Sequence, residues 1–231
     1  MKRSKKYLKA AELIDKKKLY SKEEAIELAQ KTSTSKFDGT LEVSINLNVD
    51  PKKPDQQLRG AIVLPNGTGK TKKILVLSKT NQAEIARKEK AEFVGDEDML
   101  QKIEKENWFD FDVIIATPEM MPLLGKLGKV LGPKGLMPNP KTGTVTTDVK
   151  KAIEDIRKGR IEYRTDSYGV IHTIIGKVSF DSAKLVENLD ALMKVILKSK
   201  PAAVKGKFVK GVYVSSTMGP GVQIDLSSFD K

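Results

Sequence analysis

Leu41-Glu42-Val43-Ser44-Ile45-Asn46-Leu47-Asn48-Val49 alternates without a fault: Leu41, Val43, Ile45, Leu47 and Val49 are apolar, and Glu42, Ser44, Asn46 and Asn48 between them are polar. Successive side chains of an extended chain point to opposite faces, so this period of two predicts a strand with one face buried and the other wet. The stretches on either side decide what surrounds it. Upstream, residues 4–31 read as helix, with Tyr7, Leu8 and Ala11 on one face and a break near Leu19 and Tyr20. Ser21 with Glu24 three residues on then forms a capping box ahead of Ala25, Ile26, Leu28 and Ala29.

Downstream of Pro51 and Pro54 the rhythm changes. Short apolar runs at residues 74–77, 92–94 and 112–116 alternate with helical patterns near 81–90 and 96–106, which implies parallel β-α-β units. From Arg160 the alternation returns. Residues 161–164 and 170–175 flank a turn at 166–169 and read as a hairpin. Leu185, Val186, Leu189, Leu192, Met193 and Ile196 make a helical stripe after Asp181 and Ser182, and residues 208–215 and 222–226 read as strands. The expected fold is an α+β domain (split β-α-β, antiparallel-rich sheet) built from both termini, residues 1–67 and 160–231. An α/β Rossmann-like domain, residues 68–159, is inserted into it. The two connections, near residues 65–71 and 158–160, would form a hinge.

Lysines and arginines outnumber acids by 42 to 30, a net charge of +12, which favours a polyanionic partner. No apolar run reaches the length of a membrane span and no secretory signal pattern opens the chain, so a cytoplasmic protein is expected. A basic protein that recognises membranes would need a broad amphipathic helix, and residues 4–18 supply lysines with only a narrow apolar face. Without cysteine and with His172 as the one histidine, thiolate chemistry is excluded and a metal site is not expected. No cofactor is expected either.

Charge has a focus. Residues 121–147 hold no Asp or Glu but carry Lys126, Lys129, Lys134 and Lys141 among Gly125, Gly128, Gly132, Gly135 and Gly143 and the prolines Pro133, Pro138 and Pro140. Glycines admit a partner's backbone, prolines hold a loop open, and the lysines face no neutralising acid, a pattern suited to phosphate. Leu123, Leu124, Leu127, Val130, Leu131, Leu136 and Met137 also predict a helix and turn packed on a core. A second constellation, Ser215-Ser216-Thr217-Met218-Gly219-Pro220-Gly221, places hydroxyls, a thioether and exposed peptide groups just after a strand.

Catalysis finds little support. Gly67-Thr68-Gly69-Lys70-Thr71 ends like a nucleotide-binding P-loop, but Leu64 stands where the first glycine belongs and a strand follows where a helix should open. No Ser or Asp forms a recognised nucleophile arrangement around His172 in the sequence. Asp96, Glu97 and Asp98 read as a helix first turn. A nucleotide-binding enzyme built on the α/β middle is the alternative class, and a nucleotide that raised the melting temperature would distinguish it.

Residues 125–145, from Gly125-Lys126-Leu127-Gly128-Lys129 through Gly132-Pro133-Lys134-Gly135-Leu136-Met137-Pro138-Asn139-Pro140 to Thr144-Val145, closely resemble the signature of the family of large-subunit ribosomal protein L-one, the lateral-stalk protein. Thr217-Met218-Gly219-Pro220-Gly221 resembles that family's RNA-contacting loop, and Ser35-Lys36-Phe37-Asp38 its N-terminal RNA-binding segment. The resemblance implies a non-enzymatic protein that binds a helical junction of large-subunit rRNA, contacts exit-site tRNA, and represses translation of its own operon through the mRNA leader. It also implies the discontinuous first domain and inserted second domain read above, and a monomer off the ribosome. Carried over by position, the RNA-binding residues are Lys36, Phe37, Thr40, Glu42, Asp166, Ser167, Tyr168, Thr217, Met218 and Gly219. Lys126, Lys129, Lys134 and Lys141 are secondary RNA or tRNA contacts. Glu42 and Asp166 are acids, so their expected work is hydrogen bonding to 2′-hydroxyls and base edges or aligning neighbouring donors. Phe37 either packs on sugar or base or anchors its strand.

Overall fold

The computed structural model describes residues 3–79 and 81–229. In chain order it begins with α1 (Lys5–Glu12), α2 (Lys22–Lys31), β1 (Thr40–Leu47) and β2 (Arg59–Val63). Next come β3 (Ile74–Leu77), α3 (Asn81–Lys88), β4 (Phe93–Gly95), α4 (Glu97–Glu106), β5 (Val113–Ala116), α5 (Met121–Lys126), α6 (Gly128–Leu131) and α7 (Val149–Arg157). The chain closes with β6 (Arg160–Arg164), β7 (Val170–Lys177), α8 (Ser182–Lys198), β8 (Val209–Ser216) and β9 (Val222–Ile224). It divides into two compact units, Met1–Gly69 with Gly159–Lys231, and Lys70–Lys158.

The first unit is organised by β1. Its odd positions Leu41, Val43, Ile45 and Leu47 are buried, while Glu42 is exposed and Ser44 and Asn46 are half-exposed. β1 is central in an antiparallel sheet ordered β7-β1-β8-β9. The inward side chains of the four strands pack with Ala25, Ile26 and Ala29 of α2 and with Leu185, Leu189, Leu192, Met193 and Ile196 of α8 in one core. Both helices therefore cover the same face of the sheet. α2 starts as its sequence requires, with Ser21 Oγ accepting a hydrogen bond from the Glu24 N–H at 3.2 Å.

The hairpin expected across residues 161–175 does not form. The turn closes, with the Asp166 N–H donating to the Val170 carbonyl at 2.9 Å. Beyond it the strands part: β6 pairs with β2, Ile161 opposite Ile62, and β7 pairs with β1, Ile171 opposite Ile45. The missing partner, β2, was not legible because Arg59-Gly60-Ala61-Ile62-Val63 has only a weak apolar pattern. Gly60 is small for a packing reason, since a Cβ there would sit 2.6 Å from the Tyr163 hydroxyl.

A further cross-link ties β2's outgoing chain to the core. Asn188 interrupts the apolar stripe of α8 and is fully buried. Its Nδ2 donates to the Gly67 and Ile175 carbonyls, and its Oδ1 accepts from the Asn66 N–H. Gly159 lies against the same segment at φ +95°, where a Cβ would press on Gly67 and Thr68 backbone.

The second unit carries a parallel sheet ordered β4-β3-β5, with Leu77 opposite both Gly95 and Ala116. The three apolar runs thus pair in parallel, as their alternation with helices predicts. One side packs on α4, α5 and the Leu131 turn, the other on α3 and α7. α7 was missed in the sequence, although Val149, Ala152, Ile153 and Ile156 have helical spacing and Asp148 caps the Lys151 N–H at 3.1 Å. Lys70 and Thr71 are followed by Lys72, Lys73 and then β3, and open no helix, which agrees with rejecting a P-loop.

Candidate nucleic-acid interface

The face of the four-stranded sheet opposite α2 and α8 is lined by the outward positions of each strand. The pairing sets them in rows: Ile174, Glu42 and Ser215 in one, and His172, Ser44, Tyr213 and Gln223 in the next. Apart from the aliphatic Ile174, these are hydroxyl, carboxyl, amide, imidazole and phenol groups on a pleated platform. They are able to donate and accept hydrogen bonds at fixed spacing.

At one end of β1 two loops meet. Thr217 Oγ1 accepts from the Thr40 N–H at 2.9 Å and donates to the Thr40 carbonyl at 3.2 Å, while the Thr217 N–H also donates to that carbonyl. The hydroxyl thus carries the β1–β8 ladder beyond the last strand pair. Thr40 is itself buried. Past this clamp Met218 adopts φ 64°, uncommon for a residue with a side chain, and stands 78% exposed. Gly219 follows, where any Cβ would run into the Ser216 hydroxyl. The Thr34 hydroxyl donates to the Met218 carbonyl at 3.5 Å, bringing the 33–39 segment alongside. In that segment Lys36 is exposed and Phe37 is 66% exposed, its carbonyl accepting from Ser35 Oγ. Asp38 turns back to accept from both the N–H and hydroxyl of Ser179.

Asp166, Ser167 and Tyr168 lie at the other end of the sheet. Asn46 pairs with Val170 whereas Thr40 pairs with Lys177, and six residues of strand span roughly 20 Å. The ten residues singled out in the sequence therefore form two groups, with Glu42 between them near the first. Tyr168 is 83% exposed at the turn tip. Asp166 Oδ1 accepts from the Tyr168 and Val170 N–H groups, both at 2.8 Å. The bond from Val170 chiefly holds its carboxyl below the ordinary range; burial opposes it, and the bonds from Tyr168 and His172 add to the lowering.

His172 connects the Asp166 turn to the middle of the sheet face and was not among the residues singled out in the sequence. Its Nδ1 is 3.0 Å from Ser44 Oγ and its Nε2 is 3.5 Å from Asp166 Oδ2. A Ser and an Asp thus flank His172, although Ser44 is far off in the chain and only strand pairing brings it near. The set is unlike a hydrolase triad. The imidazole is well exposed, its Asp contact is long, and Ser44 sits mid-strand where neighbouring amides are spent on sheet pairing instead of an oxyanion hole.

In the second unit the four lysines are exposed but not equivalent. Lys126 and Lys129 project from α5 and α6, and Lys141 from a 3-10 turn held by Asn139. Lys134 is stacked over the Phe109 ring, 4.1 Å from its centroid. Among the described residues no cluster of His, Cys, Asp and Glu has a metal-binding arrangement, and no helix is long and apolar enough to cross a membrane.

The sequence matches the profile of the ribosomal protein L1p/L10e family over residues 29–220. The chain belongs to this family. As an L1p/L10e member it is a structural ribosomal protein that binds rRNA of the large subunit, and it is not an enzyme. The match takes in the lysine-rich 125–145 stretch and the Thr217–Gly219 loop; α1 lies outside it.

Proposed function

We propose that this L1p/L10e protein grips a folded junction of large-subunit rRNA on the open face of its four-stranded sheet and forms the mobile lateral stalk. The observation that carries the reading is the polar platform bounded by exposed apolar side chains: Phe37 and Met218 at one end, Tyr168 at the other. A surface attracting phosphate by charge alone would not need Glu42 and Asp166 within it. Hydroxyls, carboxylates and amides at fixed spacing suit 2′-hydroxyls and base edges, and exposed aromatic and thioether groups suit sugar or base faces. Thr40 and Thr217 would then act chiefly by holding the Met218 loop in place.

Within this reading the first unit is an α+β domain of split β-α-β type and the second a Rossmann-like insertion that swings on the connections near residues 65–71 and 158–160. Lys126, Lys129, Lys134 and Lys141 of the insertion make looser, salt-sensitive contacts with rRNA or exit-site tRNA and assist its release. The same face binds an mRNA leader that mimics the rRNA junction, so the free protein, a cytoplasmic monomer, represses its own operon. Sequencing RNA crosslinked to the protein in cell lysate tests this: one dominant rRNA junction together with an enriched messenger leader is expected. Crosslinks scattered over unrelated RNAs would defeat it.

A further inference from the structure

α1 stands outside the matched family span, and next to it is a cleft at the edge of the open face that shares Tyr213 and Gln223 with it. The cleft has a volume of about 490 Å³, in the range of small-ligand sites. Tyr7 comes from α1, and Tyr213 and Gln223 end the outward row that crosses the sheet from His172. Pro220 and Gly221, directly after the Met218 loop, also line it, and no atom lies within 4 Å of where a Gly221 Cβ would be, so backbone can come close. The Arg3 guanidinium lies 4.3 Å from the Tyr7 ring centroid, a cation held against the aromatic at the cleft.

We infer that this cleft takes one unpaired nucleotide of the bound RNA, its base stacked on Tyr7 and Tyr213 and its phosphate on Arg3. The proposal rests on reading the open sheet face as the rRNA interface, with which the cleft is continuous. Charge favours an anion: α1 presents Lys5, Lys6 and Lys9 against Glu12, and Lys16 stands beside the cleft's carboxylate, Asp15. Two aromatic rings, an amide and a guanidinium match the stacking platform and cationic groove that hold single-stranded nucleotides. A lipid surface is the weaker match. α1 is eight residues long with Ala10 buried, leaving Leu8 as its one large exposed apolar side chain.

Filter binding of the full chain to an in vitro transcript of large-subunit rRNA, at several salt concentrations, tests the assignment. Tyr7→Ala should weaken binding about tenfold and Tyr7→Phe should restore it, while Arg3→Gln should lower the salt slope by about one. Met218→Ala is the reference, and melting curves confirm that each variant is folded. If Met218→Ala weakens binding while Tyr7→Ala and Arg3→Gln match the parent in affinity and slope, the cleft assignment is wrong and the open-face reading stands. If Met218→Ala also binds like the parent, the open-face reading fails and takes the cleft with it. Sedimentation with phosphatidylserine vesicles that Arg3→Gln abolishes, with RNA binding unchanged, would assign α1 to membranes and overturn the proposal.

Discussion

The Thr217 hydroxyl holds both backbone polar groups of Thr40, accepting from its N–H at 2.9 Å and donating to its carbonyl at 3.2 Å. One side chain thereby fixes the loop bearing Met218 against the start of β1. Thr217→Val keeps the shape and removes both bonds. The variant should lose about 1–2 kcal/mol in urea unfolding and bind rRNA more weakly, whereas Thr217→Ser should retain both properties. Parent-like stability and affinity in Thr217→Val would remove the clamp from the account.

Asn188 makes the complementary test inside the core. Asn188→Leu would leave the Asn66 N–H and the Gly67 and Ile175 carbonyls without their partner. A loss of about 3 kcal/mol is expected, because unpaired buried groups cost about 1–3 kcal/mol each and the added apolar burial offsets part of it. The urea midpoint should fall with an unchanged slope. A midpoint within error of the parent would show that these groups find other partners.

The Asp166 turn should respond to acid. Its carboxyl is held below the ordinary value of 3.8 chiefly by the Val170 N–H. A depressed folded pKa means stability that is fully present above the unfolded pKa and is lost as pH falls through the folded one. Parent and Asp166→Asn should therefore differ by a constant amount near neutrality, with the gap closing as pH falls below about 3.8. A gap that persists unchanged into strong acid would contradict the assigned cause.

Replacing residues 70–158 with a short linker should leave most rRNA affinity in place and flatten the salt dependence, because the sheet face lies wholly in the other unit. Collapse of binding in a folded variant of this kind would show that the lysine-rich unit is a principal contact.

The strongly periodic elements were readable from sequence. The faultless alternation of β1, the Ser21–Glu24 start of α2 and the apolar stripe of α8 each state their own structure locally. β2 did not, because its side chains are only half-buried and its small Gly60 is explained by Tyr163, a hundred residues away. The hairpin expected around Asp166 failed for a related reason: turn chemistry fixes the turn, while strand partners are chosen by the sheets. The site divided in the same way. Met218 was reached through its loop composition and Phe37 through resemblance, but Ser44, His172 and Tyr213 become neighbours only through the register of three strands.

Competition at moderate ionic strength tests the central claim most directly. The full chain is bound to a labelled large-subunit rRNA fragment chosen by crosslinking, then challenged with the same fragment unlabelled or with an unrelated duplex of equal length. Shape-specific recognition by the sheet face predicts that the unlabelled fragment displaces the label at a concentration orders of magnitude below that needed by the duplex. Equal competition by the two would mean that the +12 charge alone holds the RNA, and the account would be wrong.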